Sequence, residues 1–311
     1  MMDINIKKQF TLGINSAIKV EEYRSFIECY KEYIHSMFFS PPIGKGYSTR
    51  KLYEENLVTQ DQIDNFSEIL QCIKEAGIQL EICMNVPGLS DDQLFHAIEY
   101  MNEVVKPDEI VCMDSYYKKL QSAFPLARFI YSFNNIDPLK NLDNVKKYDE
   151  VAVGKYYLYS QKSRNILFDN GVLPRLLLNN GCVIDCPVCV NSQKCKQNFH
   201  ERINSIGVEE AFVRWTMWPF EMHRMIENDR KMAFIKYKLS TRTKSIEQHK
   251  ECIESYLYNQ DIGQYIEKRR RGYTVWCGLA HFVDYYDSFD YDRVLKAKKN
   301  QSWNWYDEIG A

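Results

Sequence analysis

The sequence predicts an α/β protein whose core is a (β/α)8 TIM-like barrel, carrying a cysteine-rich loop after strand seven and a C-terminal helical extension. Three observations lead there. Short apolar runs of strand length alternate with amphipathic runs of helix length, the pattern of parallel α/β architecture. Eight such strand-like runs occur before residue 245. Polar residues recur where the strands end, the position from which barrel enzymes build their sites.

Phe10–Asn15 (FTLGIN) reads as the first strand and Glu21–Tyr33 as the helix after it. Ile34–Phe39 (IHSMFF) is the second strand, ending in Ser40-Pro41-Pro42 and a loop containing Gly44 and Gly46. That Gly-x-Gly is too short for a nucleotide-binding fingerprint and reads as a loop at the barrel mouth. A helix containing Asp61–Ala76 follows, with Thr59 and Gln62 at capping-box spacing and Gly77 as its stop. Gln79–Met84 is the third strand. Ser90 and Gln93 form another capping box, and Leu94, Ile98, Met101 and Val105 stripe the helix behind it. Glu109–Met113, Arg128–Phe133 and Glu150–Val153 are strands four to six, Arg175–Asn179 is the seventh and Ala233–Leu239 the eighth. The alternative architecture is an open doubly wound sheet. The domain reading is a barrel over 1–244, with its metal-binding loop at 180–200, and a helical, aromatic-rich extension over 245–311.

Composition is globular, at 45% hydrophobic and 26% charged, and the net charge of −2 gives no general pull toward nucleic acid or an anionic membrane. RNA is therefore not a favoured partner, and the basic run at 268–271 (KRRR) reads as solvated surface. No apolar run reaches membrane-spanning length and the N-terminus lacks a secretory h-region, so a cytoplasmic location is expected. Disulfides are disfavoured there. Of the ten cysteines, Cys72, Cys83 and Cys112 lie in apolar runs and read as small core residues.

Four others do not. Cys182, Cys186, Cys189 and Cys195 crowd into GCVIDCPVCVNSQKC, just beyond the seventh strand. The first three have the C-x3-C-x2-C spacing that holds three irons of a 4Fe–4S cluster, and the fourth completes the ligand set, with Cys277 in reserve. Structural zinc is the alternative, but zinc ribbons present two C-x2-C knuckles and this run has only Cys186–Cys189. The same three-cysteine spacing marks radical S-adenosylmethionine enzymes, in which it follows the first barrel strand; here seven strands precede it. Around the mouth, Asn15, Asn85, Asp114, Asn134 and Asn179 end strands and are candidate substrate contacts. Arg242, just past strand eight, is the candidate to grip a carboxylate bidentately. A peptidase is disfavoured, since no G-x-S-x-G elbow, H-E-x-x-H or Cys-His pair stands out, and His200, His223, His249 and His281 are scattered singly.

Over Leu176–Leu257 the chain resembles the collagenase-like peptidase U-32 family. The resemblance rests on LLLNNGCVIDCP (Leu176–Pro187), on Trp218-Pro219-Phe220-Glu221, on the final strand running from Phe234 to Arg242, and on the helix with its Tyr-Leu over Glu251–Leu257. It implies a barrel with a cysteine-bound 4Fe–4S cluster. Its relatives in ubiquinone and RNA modification further imply oxygen-independent hydroxylation of an aromatic or heteroaromatic ring, with a second barrel subunit as a possible partner. Those relatives spread their cysteines widely, whereas these are compact, so the cluster carries over and the ligand pattern does not. The expectation is an iron–sulfur redox enzyme acting on a small-molecule or modified-ring substrate; the alternatives are a metal-stapled, non-catalytic partner subunit, a radical S-adenosylmethionine enzyme of unusual topology and, least favoured, a peptidase.

Overall fold

The computed structural model describes residues 6–41, 59–85, 88–132, 142–153, 159–178, 200–215, 217–239, 241, 245–261 and 290–301. Eight parallel strands close into a barrel in sequence order, each bonded to the next and β8 (Lys236–Leu239) to β1 (Phe10–Gly13). The others are β2 (Ile34–Phe39), β3 (Gln79–Met84), β4 (Glu109–Cys112), β5 (Arg128–Ser132), β6 (Glu150–Val153) and β7 (Leu173–Leu177). The closed register of β1 with β8 excludes the open doubly wound sheet.

The helices form as their sequences dictate. After α1 (Val20–Tyr30), α2 (Gln60–Glu75) begins at Thr59, whose side chain accepts from the Gln62 amide while Gln62 returns the bond. It ends at Gly77, whose φ of 67° suits a residue without a Cβ. Ser90 and Gln93 form the same box at the start of α3 (Asp91–Tyr100). α4 (Asp114–Ala123), the single turn α5 (Leu142–Val145) and α6 (Gln161–Asp169) follow strands four to six. The β7–β8 connection contains α7 (Val208–Trp215) and α8 (Pro219–Asn228). α9 (Ile246–Leu257) packs on α8 and α1. α10 (Tyr291–Asn300) packs on α7.

Strand ends differ from the sequence expectation for local reasons. β1 stops at Gly13 because the Asn15 side chain turns the chain, its Oδ1 accepting from the Ala17 amide at 3.1 Å. β8 starts at Lys236 because Arg230–Phe234 forms a 3-10 turn, set by Asp229 accepting from the Lys231 amide. β7 starts at Leu173, in register with Glu150 on β6.

The packing separates into two apolar regions. The larger lies between strands and helices and takes the outward residues, such as Phe10, Ile82, Ile110, Tyr131, Val151 and Tyr237. The smaller, formed by Phe38, Cys83, Val111, Ile130 and Ala152 with Leu177 against them, fills the inside of the barrel. Among the described residues, no helix is long and apolar enough to cross a membrane.

Candidate functional site

Inside the barrel, below the small apolar plug, lies a network of buried charge. Arg175 on β7 is fully buried and its guanidinium reaches three carboxylates on other strands. Its Nε donates to Glu150 Oε2 at 2.8 Å and its Nη2 to Glu109 Oε2 at 2.9 Å, while Nη1 donates to Glu81 Oε2 on β3, across the barrel. The remaining oxygen of each glutamate is also engaged. Glu81 accepts from Lys238, Glu150 from Lys236 and Arg128, and Glu109 Oε1 meets His35 Nε2 at 2.9 Å. His35 reaches inward because it is an extra residue in β2, where the β1–β2 register slips between Phe10–Ile34 and Thr11–Ser36. Thr11 Oγ1 and Ser36 Oγ lie 3.0 Å apart beside this network, and Ser36 donates to Glu81 at 3.3 Å.

Electrostatics follow from that packing. Burial pushes the Glu109 carboxyl up, but Arg175 and the His35 hydrogen bond outweigh it and hold Glu109 well below the usual carboxylate range. Glu150 is likewise lowered, its burial overcome by Arg175 and Lys236. Arg175 is held above its ordinary value, the three glutamates overcoming its desolvation. Glu109, Arg128, Glu150 and Lys236 are the first residues of their strands, so most of this network occupies the N-terminal half of the barrel. That face of such barrels carries stability rather than chemistry.

The opposite face is where a site can form, and its floor is made by the next residues up the strands. Lys238 is 8% exposed; its ammonium sits 3.8 Å over the Phe38 ring, bonds Glu81 and lies 3.6 Å from Cys83 Sγ. Asn85, at the end of β3, donates from Nδ2 to Ser132 Oγ, at the end of β5, at 3.1 Å. On the β8–β1 side, Thr241 Oγ1 accepts from the Gly13 amide at 2.9 Å. His249 is wholly buried, with Nδ1 2.8 Å from the Ser245 carbonyl and Nε2 2.8 Å from the Gly13 carbonyl. It ties α9 to the end of β1, which is a packing role.

The residues singled out from sequence divide accordingly. Asn85 stands at the mouth against Ser132. Asn15 shapes the β1–α1 turn and contacts the Tyr23 hydroxyl through its backbone. Asp114 begins α4 with its carboxylate beside Lys147 and the Tyr148 hydroxyl, on the outer wall rather than over the Asn85–Ser132 pair. Asn134, Asn179, Arg242, Cys277 and all four clustered cysteines lie outside the described residues. Among the described residues, no group of three or more His, Cys, Asp or Glu side chains is placed to hold a metal ion. Cys72, Cys83 and Cys112 are buried as expected, and burial pushes the Cys112 thiol up to about 12.

Sequence reasoning overlooked Glu81, Glu109, Glu150, Arg175 and Ser132. A signal existed: each of QLEICM, EIVC, EVAV, LPRLL and KYKL is an apolar strand interrupted by charge, and the signs are mixed. Five interrupted strands closing into one barrel place those charges face to face.

Compared with protein-family models and with curated proteins, the chain matches none. Among solved structures it is similar to a U32 peptidase, at 14% identity and a TM-score of 0.46 over 75% of this chain and 92% of that one. It is also similar to the tryptophan synthase alpha-subunit of Pyrococcus furiosus, at 9% identity and a TM-score of 0.42 over 81% and 98% of the two chains. A third likeness, to a Mesorhizobium loti protein, has 11% identity and a TM-score of 0.34 over 56% of this chain, which spans only 48% of that protein.

Proposed function

We propose that this chain is an iron–sulfur barrel enzyme that performs redox group transfer at the C-terminal mouth, in the form of oxygen-independent hydroxylation of an aromatic or heteroaromatic substrate. The observation that carries the reading is positional. β7 ends at Leu177, at the end of the barrel where Lys238, Cys83, Asn85 and Ser132 form a polar floor. The four cysteines follow that strand within twenty residues. Compact thiolates suit a soft metal centre, and the spacing of Cys182, Cys186 and Cys189 suits three corners of a 4Fe–4S cube, with Cys195 at the fourth. Such a cluster supplies electron transfer.

The chain's own residues supply position. The Asn85–Ser132 pair offers amide and hydroxyl groups to orient a ring substituent. Phe38, Val111, Ile130 and Ala152 close the barrel beneath it, and keep water from reaching the substrate from below. Arg242 and Asn179, at the ends of β8 and β7, are the residues assigned to hold an anionic oxygen donor.

Anaerobic purification of the full chain tests this. The expected result is a brown protein with a broad absorption band at roughly 400 nm and about four iron and four sulfide per chain. Cys182→Ala, Cys186→Ala, Cys189→Ala and Cys195→Ala should each bleach the band while leaving the cooperative unfolding of the barrel in place. Stoichiometric zinc without sulfide would overturn the reading and make the loop a structural staple.

A further inference from the structure

Lys238 and Cys83 come from strands on different parts of the barrel wall, β8 and β3, and meet over Phe38. Nζ and Sγ are 3.6 Å apart. Both groups also face one carboxylate oxygen: Glu81 Oε1 accepts from the Lys238 ammonium, and the Cys83 thiol points at the same atom from 3.8 Å. The cluster is buried, with Cys83 5% and Lys238 8% exposed, and the function proposed above uses neither the thiol nor the amine as a reacting group.

This arrangement suits a covalent bond between the two side chains. A lysine amine becomes a nucleophile only when it loses a proton, and a thiol is oxidised most readily as thiolate. Glu81 is placed to take a proton from either. The separation of the two atoms exceeds a single bond but leaves room for one bridging atom. We propose that Cys83 and Lys238 are an oxygen-sensing pair that dioxygen joins through a single oxygen, as Cys83-Sγ–O–Nζ-Lys238.

The step balances as thiol plus amine plus dioxygen giving the S–O–N bridge and one water. The S–H bond and one N–H bond (counted on the neutral amine) break, and S–O and O–N bonds form. Sulfur and nitrogen each give up two electrons, and these four reduce dioxygen to the bridging oxygen and the water. The bridge removes the Lys238 charge from the floor of the mouth and fastens β3 to β8. Exposure to air would therefore change the floor of the site as well as any oxygen-sensitive metal above it. Thiol reductants reverse the bond with four electrons, two dithiols being oxidised to disulfides as the thiol, the amine and one water are returned.

Peptide mass spectrometry of the full chain tests this directly and requires no metal. One portion is prepared and digested anaerobically and another after equilibration with air. In the aerated sample the Cys83 and Lys238 peptides should appear joined, at about 14 Da above the sum of the two, one oxygen gained and two hydrogens lost. Dithiothreitol should return them to separate, unmodified peptides. The anaerobic sample should contain only the separate peptides, and Cys83→Ser should contain only them under both conditions. Separate peptides in aerated wild-type protein, with Cys83 still a thiol or oxidised alone, would overturn the proposal. A joined pair about 2 Da below the sum would overturn it too, since that mass is a direct S–N bond.

Discussion

Arg175→Met is expected to destabilise the protein by about 3–5 kcal/mol, the range for removing one partner of a buried ion pair. The barrel gives specific grounds for the upper part of it. Arg175 bonds Glu81, Glu109 and Glu150 at once, and all four side chains are essentially out of water. Without the guanidinium, Glu81 keeps Lys238 and Glu150 keeps Lys236, but Glu109 keeps His35, an Arg128 guanidinium 4.0 Å away and the charge of Lys236, which Glu150 already binds. The measurement is urea unfolding of wild type and variant across pH. In the wild type, Glu109 and Glu150 are held below their ordinary values. Their contribution is complete above the unfolded carboxylate range, roughly pH 4.3, and is lost as pH falls from there through the depressed folded values. The variant should show less of this acid dependence. Arg175 is the largest charge holding both carboxyls down, so without it the acid-side loss of stability should shrink. A loss under about 1 kcal/mol, or an unchanged pH slope, would mean that water enters the barrel and screens the network.

That network also shows which parts of the molecule were legible in its sequence and which were not. The order and kind of the elements follow from local signals. Thr59 with Gln62 and Ser90 with Gln93 mark helix starts, Gly77 marks a stop, and apolar runs such as IHSMFF suit parallel strands buried on both faces. These depend on neighbours in sequence, and the structure keeps them. The contacts of Arg175 do not, because its partners are 25, 66 and 94 residues away. They become neighbours only when the barrel closes. Lys238 is a second case: nothing near this cation on strand eight shows that Glu81, 157 residues earlier, takes up its charge. The bulge that turns His35 inward is equally hidden, since it is a property of β2 paired with β1 and not of IHSMFF alone. Asp114 shows the converse: it follows a strand end, but a helix begins on it and its carboxylate pairs with Lys147.

Lys298→Met is expected to release the C-terminal helix from the barrel at a cost of about 3–5 kcal/mol. Lys298 on α10 is 1% exposed, and its Nζ lies 2.7 Å from Glu221 Oε2 in the first turn of α8 and 5.7 Å from the centre of the Trp218 ring. The same glutamate oxygen accepts from the Trp218 amide at 2.7 Å, and its other oxygen accepts from the buried Tyr159 hydroxyl. Arg224 adds a bond from α8 to the Gln301 carbonyl at 2.8 Å, just past the end of α10. Burial lowers the Lys298 amine below the ordinary lysine range even though Glu221 opposes the shift, so for the lysine desolvation outweighs the attraction. Two consequences distinguish this clamp from a simple stabilising bridge. Removing the lysine alone should be severe, because Glu221 stays buried as an unpaired anion. Lys298→Met combined with Glu221→Gln should recover most of the loss, since the amide oxygen can still accept from Trp218 while its NH2 donates to the Tyr159 oxygen, and no charge remains to be buried. Urea unfolding of the two variants decides between the accounts. Recovery in the double variant identifies buried charge as the cause, whereas equal losses would mean that α10 is held by the packing of the lysine stem and not by its ammonium.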